Sequence, residues 1–479
     1  MDSLAAPHAL TAPRWGAPPM AMLAALIGFL LPLVHRPLLV DGDTYWHLTA
    51  GQWMWDHLAV PHADPFSATM PGTPWVAHEW LSEVLMALAY QGAGWGGLQL
   101  LCGAALALTL AMLARYLTRW QNQPAALVSC MVAGFAIVPS LLARPHLLAL
   151  APLVACCIAL LRAREQGRVP AWPLLPLMTL WANLHGSFVL GLALAGVLAL
   201  EAVAAAPGRR APEAARWAVF LAAATAATLL TPYGWHGLLY PLQLMRLDLI
   251  AYIAEWQPPN FNRPQPLTLA LLVLLYVALS RPVTVPLSRL FIVLALLTMA
   301  LKHSRHQVVA GVVGTLVLAA PLGQALGCQV AGSVRTAAAR RWGALALVLA
   351  GLAVALRLAL PVTRADDSAT PATALRHVPA ALLSQPVFNS YEFGGYLIHQ
   401  HVRPFIDGRS DMYGDAFMRD YMAPFAPDRA AFERLATRYG VRWALIAADS
   451  RPMLYLLDTL PGWRRLYGDQ VAAVYVRVD

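Results

Sequence analysis

Long apolar runs separated by short polar segments make up the first three quarters of the chain. Runs such as 97–114 and 342–361 carry at most one charge, and their length suits a helix crossing a bilayer core, which needs about 20 apolar residues. The pattern predicts eleven membrane-spanning helices. They are expected at 17–36, 97–117, 124–142, 146–163, 171–184, 187–206, 216–232, 265–281, 285–301, 306–326 and 342–361.

A long polar loop, 37–96, separates the first two predicted spans. It contains a short apolar stretch, 79–92, which begins with a charge and is interpreted as an interfacial helix rather than a span. The first run is too long for a signal-peptide core, and Asp41-Gly42-Asp43 after it does not resemble a cleavage site. We therefore predict an uncleaved first helix.

Arginines flank these runs in a regular way. With the N-terminus inside and 79–92 left out of the count, every arginine cluster falls on the same side, which is the positive-inside pattern. The residues concerned are Arg14, Arg115, Arg119, Arg162, Arg164, Arg168, Arg209, Arg210, Arg216, Arg281, Arg335, Arg340 and Arg341. This predicts a multi-pass protein of the cytoplasmic (inner) membrane with a cytoplasmic N-terminus.

The segments predicted on the opposite, outer side carry histidine, tryptophan, asparagine and acidic residues. The inner loops offer arginines and small residues instead. Loops that only connect helices have no need of this polar set, so we expect a functional site on the outer face.

The character of the chain changes near residue 365. Strand-like runs at 386–388, 404–406, 443–446 and 471–478 alternate with helix-like runs near 414–423, 429–438 and 451–460. The predicted architecture is an all-α polytopic membrane domain over 1–362, followed by a small extracytoplasmic α/β domain over 365–479.

Composition agrees with a membrane protein. The chain is 59% hydrophobic and 12% charged, whereas soluble domains carry roughly a quarter charged residues. The net charge of +9 comes from arginines that flank apolar helices, so membrane lipids are the expected partners and nucleic acid is not. The five cysteines lie in or beside apolar runs and form neither a disulfide framework nor a zinc pattern.

Asp41-Gly42-Asp43 is the first candidate for chemistry. Two carboxylates one residue apart can hold a divalent cation such as Mg²⁺ or Mn²⁺, or one of them can act as general base on an acceptor hydroxyl. A solvated loop would also contain such residues. Trp46 and His47 follow directly and suit a substrate at the membrane interface, where aromatic residues also occur without a catalytic role.

His78 and Glu79 form a second candidate, able to bind a phosphate, a metal ion or a sugar hydroxyl. Acidic residues are also favoured in the first turn of a helix by the backbone dipole, so capping is the alternative.

A third group lies at the outer helix ends, where the head group of a polyprenyl phosphate would sit. It comprises Arg144, His146, Asn183 and His185. Arginine recognises phosphate with a fork of donors, and polar groups at this depth are costly unless they are used. Interhelical hydrogen bonding is the alternative.

Two further motifs complete the set. Lys302-His303-Ser304-Arg305-His306 is a cationic cluster on the predicted outer side. It suits a phosphate or pyrophosphate ligand. The alternative is that its side chains extend to the water–lipid interface without binding a ligand. Asp407-Gly408-Arg409-Ser410-Asp411 follows a predicted strand and forms either a binding loop or an ordinary turn, with Tyr391 in the neighbouring loop.

These features together resemble the GT-C class of membrane glycosyltransferases: one helix, an outer loop with Asp-x-Asp and aromatic residues, many spans and an outer α/β domain. More narrowly, several strings look like those of a group of bacterial polytopic membrane proteins described as glycosyltransferase-like. The strings are Asp41 to Leu48, Asp64-Pro65-Phe66-Ser67, His78-Glu79-Trp80-Leu81, Trp181 to Gly186, Pro232-Tyr233-Gly234-Trp235, Glu255-Trp256-Gln257 and Phe405 to Arg409.

The resemblance implies transfer of a sugar from a polyprenyl-phosphate donor to a glycan, lipid or protein acceptor on the outer face, with inversion. It implies that Asp41 or Asp43 is the catalytic base, with His78-Glu79 as a second acidic candidate. It implies that basic residues hold the leaving phosphate: Arg144, His303, Arg305 and His306. The other expected substrate contacts are Trp46, His47, His146, Asn183, His185, Tyr233, Trp235, Glu255, Trp256, Asp407 and Arg409.

Two other functions fit the pattern of spans. A transporter or lipid-handling protein should place ionisable groups or broken helices near the bilayer midplane. An assembly protein would use the outer domain to bind a partner, with Asp407, Arg409 and Asp411 at the interface.

Overall fold

A computed structural model describes residues 19–328 and 336–478 of the chain. Arg14, Arg335 and the first two residues of the first predicted span lie outside the described residues.

The described chain before residue 360 is helical. Its helices are α1 (Met20–Val34), α2 (Gly42–His57), α3 (Trp80–Leu117), α4 (Gln123–Ile137), α5 (Pro145–Glu165), α6 (Leu174–Leu184), α7 (Phe188–Ala204), α8 (Arg210–Thr228), α9 (Gly234–Leu244), α10 (Pro266–Ser280), α11 (Leu287–Lys302), α12 (Gln307–Val317), α13 (Ala319–Ala325) and α14 (Thr336–Ala359).

A helix lies within every predicted span, but the helices differ in length. Four are long and apolar enough to cross a membrane: Trp80–Leu117, Gln123–Ser140, Pro145–Glu165 and Ala339–Ala359. A fifth candidate is Ser304–Val317 with Ala319–Ala325, a pair bent by 56°. Shorter apolar helices occupy several other predicted spans, so the number eleven stays a prediction.

The stretch 79–92 forms the beginning of α3. The backbone leaves helical geometry at Ala93 and at Gly94, whose φ is +56°, a conformation that glycine adopts without steric cost. The 38 residues of α3 therefore form two helical parts that meet at Ala93 and Gly94. The placement of 79–92 at the membrane interface stays a prediction.

Helix α2, which was not predicted, joins the two parts of the molecule. Its Leu48 belongs to the apolar core formed by the helices before residue 320. Its Trp46 packs in the core of the C-terminal region with Phe388 and Phe405, and its Tyr45 lies in a second cluster there. The first outer loop and the C-terminal region therefore share apolar cores through one helix.

The C-terminal region is an α/β structure, as predicted. Its helices and strands are α15 (Ala372–Arg376), α16 (Ala380–Leu383), β1 (Val387–Asn389), α17 (Gly394–His399), α18 (Ser410–Met422), α19 (Arg429–Arg438), β2 (Trp443–Ala447), α20 (Arg451–Thr459), β3 (Trp463–Gly468) and β4 (Ala472–Arg477). The strand order is β1-β2-β4-β3. β1 pairs with β2 in parallel, and the other two pairs are antiparallel.

One predicted strand, 404–406, is wrong. This segment is irregular because the side chain of Asn389 takes over its backbone hydrogen bonds. Asn389 accepts from the N–H of Phe405 at 2.8 Å and donates to the carbonyl of Ile406 at 2.9 Å. The strand that was not predicted, β3, has a mostly exposed surface, so it lacks the apolar alternation that marks a half-buried strand.

Candidate active site

Asp41 caps the N-terminus of α2. Its carboxylate accepts hydrogen bonds from the backbone N–H of Thr44 at 3.1 Å and from the Thr44 hydroxyl at 3.0 Å, which is the usual work of an N-cap aspartate. The Thr44 hydroxyl also donates to the carbonyl of Ala143. These contacts fix Asp41 beside the first residue of the next motif, Arg144.

Arg144 is the centre of a carboxylate network. Its Nε donates to Asp41 Oδ2 at 2.8 Å and its Nη2 to Asp41 Oδ1, a two-point contact that fixes both side chains. Its Nη1 lies 3.0 Å from Asp43 Oδ2 and 3.1 Å from Glu255 Oε2. Glu255 in turn accepts from Arg305 Nη1 at 3.1 Å. Segments far apart in sequence thus meet in one chain of alternating charges.

The two aspartates differ in their proton affinity. Burial raises the pKa of Asp41, but Arg144 outweighs that effect and the net pKa is lowered. Burial also raises the pKa of Asp43, and here the opposing effect of Arg144 is too weak, so the net pKa is raised. Environments that drive two carboxyl pKa values apart mark a division of roles.

Asp43 is the more accessible of the pair, since its side chain is 21% exposed and that of Asp41 is 5% exposed. Trp46 Nε1 donates to Asp43 Oδ1 at 3.1 Å. Gly408 from the C-terminal region lies directly against this carboxylate, and the Tyr391 hydroxyl donates to the Gly408 carbonyl at 3.3 Å. The C-terminal region therefore forms one wall around Asp43.

A second cluster surrounds Glu79. His185 Nε2 lies 3.2 Å from Glu79 Oε1, His78 Nε2 lies 3.5 Å from the same oxygen, and His47 Nε2 lies 3.9 Å from Oε2. His47 Nδ1 lies 3.0 Å from Glu83 Oε1. Since Asp43 and His47 are four residues apart on α2, they share one helix face, and this cluster adjoins the carboxylate network.

His185 and His78 differ in the direction in which their pKa values are shifted. The backbone N–H of Ser187 donates to His185 Nδ1 at 3.0 Å, so Nε2 carries the proton that faces Glu79. Burial lowers the pKa of His185 to about 3 and keeps it neutral. Burial would also lower the pKa of His78, but Glu79 raises it more. The same imidazoles hold the pKa of Glu79 below its usual range, against the effect of burial.

Asn183, Tyr233 and His146 make structural hydrogen bonds. Asn183 accepts from Trp80 Nε1 at 2.7 Å and donates to two backbone carbonyls. The Tyr233 hydroxyl accepts from the N–H of Ala77 and donates to the carbonyl of Pro61. His146 Nε2 lies 2.7 Å from the carbonyl of Ser140. The interhelical alternative weighed for this group accounts for the polar atoms of Asn183.

The basic motif near residue 305 packs around one tryptophan. The Arg305 guanidinium lies 4.3 Å from the ring centroid of Trp256, and the rings of His303 and His306 meet the same indole edge-on. Trp256 is only 8% exposed, so it is a buried surface against which these three side chains pack. Trp235 is 60% exposed and contributes to neither cluster.

Asp407 and Arg409 lie inside the protein, contrary to the predicted binding loop. Arg409 donates twice to Asp407 and once to Asp64, with distances of 2.6–2.8 Å, and all three side chains are fully buried. The guanidinium also lies over the rings of Phe66 and Trp75. These ion pairs saturate both residues and join the first outer loop to the C-terminal region, so we find no support for substrate contact.

The expected metal site at Asp41 and Asp43 does not fit the geometry either, because the Arg144 guanidinium contacts both carboxylates and occupies the place of a cation. Among the described residues, a group with donor atoms spaced for a metal ion is His47, Glu79 and Glu83, all within 4.8 Å of one another. This group shares no member with the predicted pair.

Sequence reasoning did not single out Glu83 and Tyr240, whereas Gly408 and Asp411 belong to the predicted motif 407–411 and Tyr391 to its predicted neighbouring loop. The Tyr240 hydroxyl donates to Asp411, and its ring contacts that of His78 with 4.6 Å between centroids. Glu83 could have been found, because it follows Glu79 by one helical turn. Tyr240 comes from a distant segment and leaves no local signal.

An open apolar groove of about 700 Å³ lies at the beginning of α3. Its lining includes Trp80, Leu81, Leu180, Asn183, Leu229 and Leu230. Trp80 follows Glu79 directly in the chain.

Comparisons with known proteins concern the fold. No protein-family model matches the chain, and no curated relative does. The solved structure of the archaeal oligosaccharyltransferase AglB from Archaeoglobus fulgidus, in complex with an inhibitory peptide and a dolichol-phosphate, is similar with a TM-score of 0.50 and 11% identity, over 95% of this chain and 74% of AglB. The apo form of the A. fulgidus enzyme gives a TM-score of 0.51 and 12% identity over the same shares.

The arabinofuranosyltransferase AftD from Mycobacteria is similar at a TM-score of 0.46 and 13% identity, over 96% of this chain and 41% of AftD. Both neighbours are GT-C-type glycosyltransferases. The likeness to AglB shows a fold of the GT-C type for this chain, as the resemblance of its motifs predicted.

Proposed function

We propose that the protein transfers a sugar from a polyprenyl-phosphate donor to a hydroxyl acceptor on the outer face of the cytoplasmic membrane. The observation that carries the proposal is the pair formed by Asp43 and Arg305, linked through Arg144 and Glu255. An accessible carboxylate and a partly exposed guanidinium thereby lie in one network.

Asp43 acts as the general base. Its carboxylate is partly exposed and its pKa is raised above the usual aspartate value by burial, which makes it a stronger base than a free aspartate. Asp41 cannot share this role because Arg144 and Thr44 occupy its oxygens. Asp41 and Arg144 position Asp43 instead.

Arg305 holds the leaving phosphate. Only its Nη1 is engaged with Glu255, the side chain is 29% exposed, and Trp256 supports its flat face. Arg144 is occupied by three carboxylates, which weighs against its predicted contact with phosphate. His303 and His306 complete the basic rim.

In the reaction, Asp43 takes the proton of the acceptor hydroxyl as its oxygen attacks the anomeric carbon. The bond from that carbon to the phosphate oxygen breaks, and the electron pair leaves with the phosphate, where Arg305 offsets the charge. Attack from the face opposite the leaving group inverts the anomeric centre. The isoprenoid tail lies in the apolar groove beside Trp80 and Leu180.

The position of the network favours transfer over transport. Asp41 follows α1, Arg144 precedes α5, and His185 follows α6, so these groups lie at helix ends. A transport site is expected near the midplane, at discontinuous helices.

The test is transfer by purified protein from polyprenyl-phosphate sugars, with mass spectrometry of the lipids retained after mild purification. We expect a retained polyprenyl phosphate in the wild type. Asp43→Asn should lower the transfer rate at least about 100-fold, the smaller end of a general base's contribution.

Asp56→Asn is the matched control. Asp56 is an exposed aspartate at the other end of α2 and bonds only to Gln52 among the described contacts, so this variant should transfer at the wild-type rate. Wild-type activity in Asp43→Asn would reject the assignment of the base. Absence of any polyprenyl phosphate and of transfer in the wild type would reject the proposed function.

A further inference from the structure

We propose that His47, Glu79 and Glu83 form a binding site for one divalent transition-metal ion. This site is separate from the Asp41–Asp43 pair to which the sequence assigned a cation. The proposal does not require the transfer reaction, because it rests on the geometry of these three side chains.

The spacing of the donor atoms is the first reason. One donor atom from each residue lies within 4.8 Å of the other two. His47 Nε2 and Glu79 Oε2 are 3.9 Å apart, which is too far for a hydrogen bond. Metal bonds of about 2.0–2.2 Å place neighbouring donors roughly 3–3.5 Å apart. A shift of under about 1 Å by the side chains would bring this pair to such a distance.

The second reason is an orphan atom. Glu83 is 1% exposed, and its Oε1 pairs with His47 Nδ1. Its Oε2 is buried and has no hydrogen-bond partner among the described residues. Buried polar atoms in native proteins are almost always satisfied, so such an atom calls for an occupant. A metal ion bound at this cluster would supply the missing positive charge.

His185 lies at the edge of the cluster but is not counted as a ligand. Its Nε2 lies 3.2 Å from Glu79 Oε1 and carries a proton toward that oxygen, because the backbone N–H of Ser187 donates to Nδ1.

The donor set selects the kind of ion. Imidazole suits zinc and other late transition metals, whereas carboxylates also accept manganese and magnesium. One nitrogen and two carboxylates therefore favour Mn²⁺ or Zn²⁺ over Mg²⁺, which demands near-regular octahedral oxygen coordination.

The experiment uses the full chain, purified in detergent and stripped with a chelator. It is titrated with MnCl₂ and followed by electron paramagnetic resonance. We expect one Mn²⁺ per chain, pulsed spectra that show coupling to an imidazole nitrogen, and displacement by Zn²⁺. Glu83→Gln and His47→Gln should each weaken Mn²⁺ binding at least about tenfold.

Glu165→Gln is the matched control. Glu165 is a partly buried glutamate that contacts Tyr116 and Arg119, and its buried Oε2 also lacks a hydrogen bond, so its loss tests for general effects of removing such a charge. This variant should bind Mn²⁺ as the wild type does, and so should Asp43→Asn, even where transfer is lost.

Two results would overturn the metal site. One is equal Mn²⁺ affinity in the wild type and Glu83→Gln. The other is a wild-type spectrum without nitrogen coupling, which decides the matter even if the variants fail to fold. Neither result bears on transfer by Asp43, so failure of this proposal can be told apart from failure of the proposed function.

Discussion

The α-carbon of Gly408 lies against the carboxylate of Asp43, although 365 positions separate the two residues in the chain. A Cβ added to Gly408 would overlap the Asp43 carboxylate and come within 2.7 Å of Trp46 Nε1. The proposed base is therefore positioned by the C-terminal region as well as by its own helix.

Gly408→Ala should displace Asp43 and lower the transfer rate at least about tenfold, since small misplacements of reacting groups are costly. The fold should persist, because the added methyl group meets side-chain atoms that can move. Gly351→Ala is the control: no atom lies within 4 Å of a Cβ there, and alanine favours a helix. Equal rates in both variants would contradict the placement of Gly408.

Arg409→Met should destabilise the protein severely. It would leave the buried carboxylates of Asp407 and Asp64 without their cation, and breaking a buried ion pair costs about 3–5 kcal/mol in the free energy of unfolding. Thermal melting in detergent measures the effect. Arg429→Met, which removes an exposed pair with Glu433, should change stability by less than about 1 kcal/mol. Similar melting curves for the two variants would show that the buried ion pairs of Arg409 with Asp407 and Asp64 do not stabilise the fold.

The pH dependence of transfer should report the raised pKa of Asp43. The base acts only when ionised, so the rate should rise with pH and reach its plateau above the range of an ordinary aspartate, whose pKa is 3.8. Trp46→Phe removes the hydrogen bond that stabilises the ionised carboxylate and should move the acidic limb to higher pH. Identical profiles for wild type and variant would argue against Asp43 as the titrating group.

His185 should make folding stability sensitive to mild acid. Its pKa is lowered to about 3 in the folded protein from 6.5, so the unfolded chain binds a proton between these values and the folded chain does not. Stability contributed by neutral His185 is complete above pH 6.5 and is lost as the pH falls toward 3. His185→Gln, whose amide can still donate to Glu79, should show a smaller loss of stability between pH 6.5 and pH 4.5.

Most of the fold follows from local pattern. Apolar runs located helices within all eleven predicted spans, and helix α19 matches its predicted run, 429–438. Helix α2 was missed because its apolar side chains pack against different parts of the molecule. Leu48 packs in the core of the N-terminal helices, whereas Tyr45 and Trp46 pack in the C-terminal region. These residues therefore form no single apolar stripe along the helix. The sequence signal that could have located the start of this helix is Asp41, because aspartate is favoured at helix N-caps.

The site was predicted less well, for a physical reason. Residue type shows that Asp41, Asp43, Arg144 and Arg305 can carry charge, but pairing decides which of them is free to act. Arg144 looked like a phosphate ligand until its three carboxylate partners were placed around it. Asp407 resembled a loop ligand because nothing nearby in the sequence indicates its burial.

The proposed catalytic centre joins residues 43 and 408, which has a consequence for biogenesis. The ribosome releases the first of these residues long before the second, so the C-terminal segment docks on α2 late in synthesis. Nascent chains and prematurely terminated fragments consequently lack one wall of the centre. Under the proposed function, competence for sugar transfer therefore arises only when synthesis is complete.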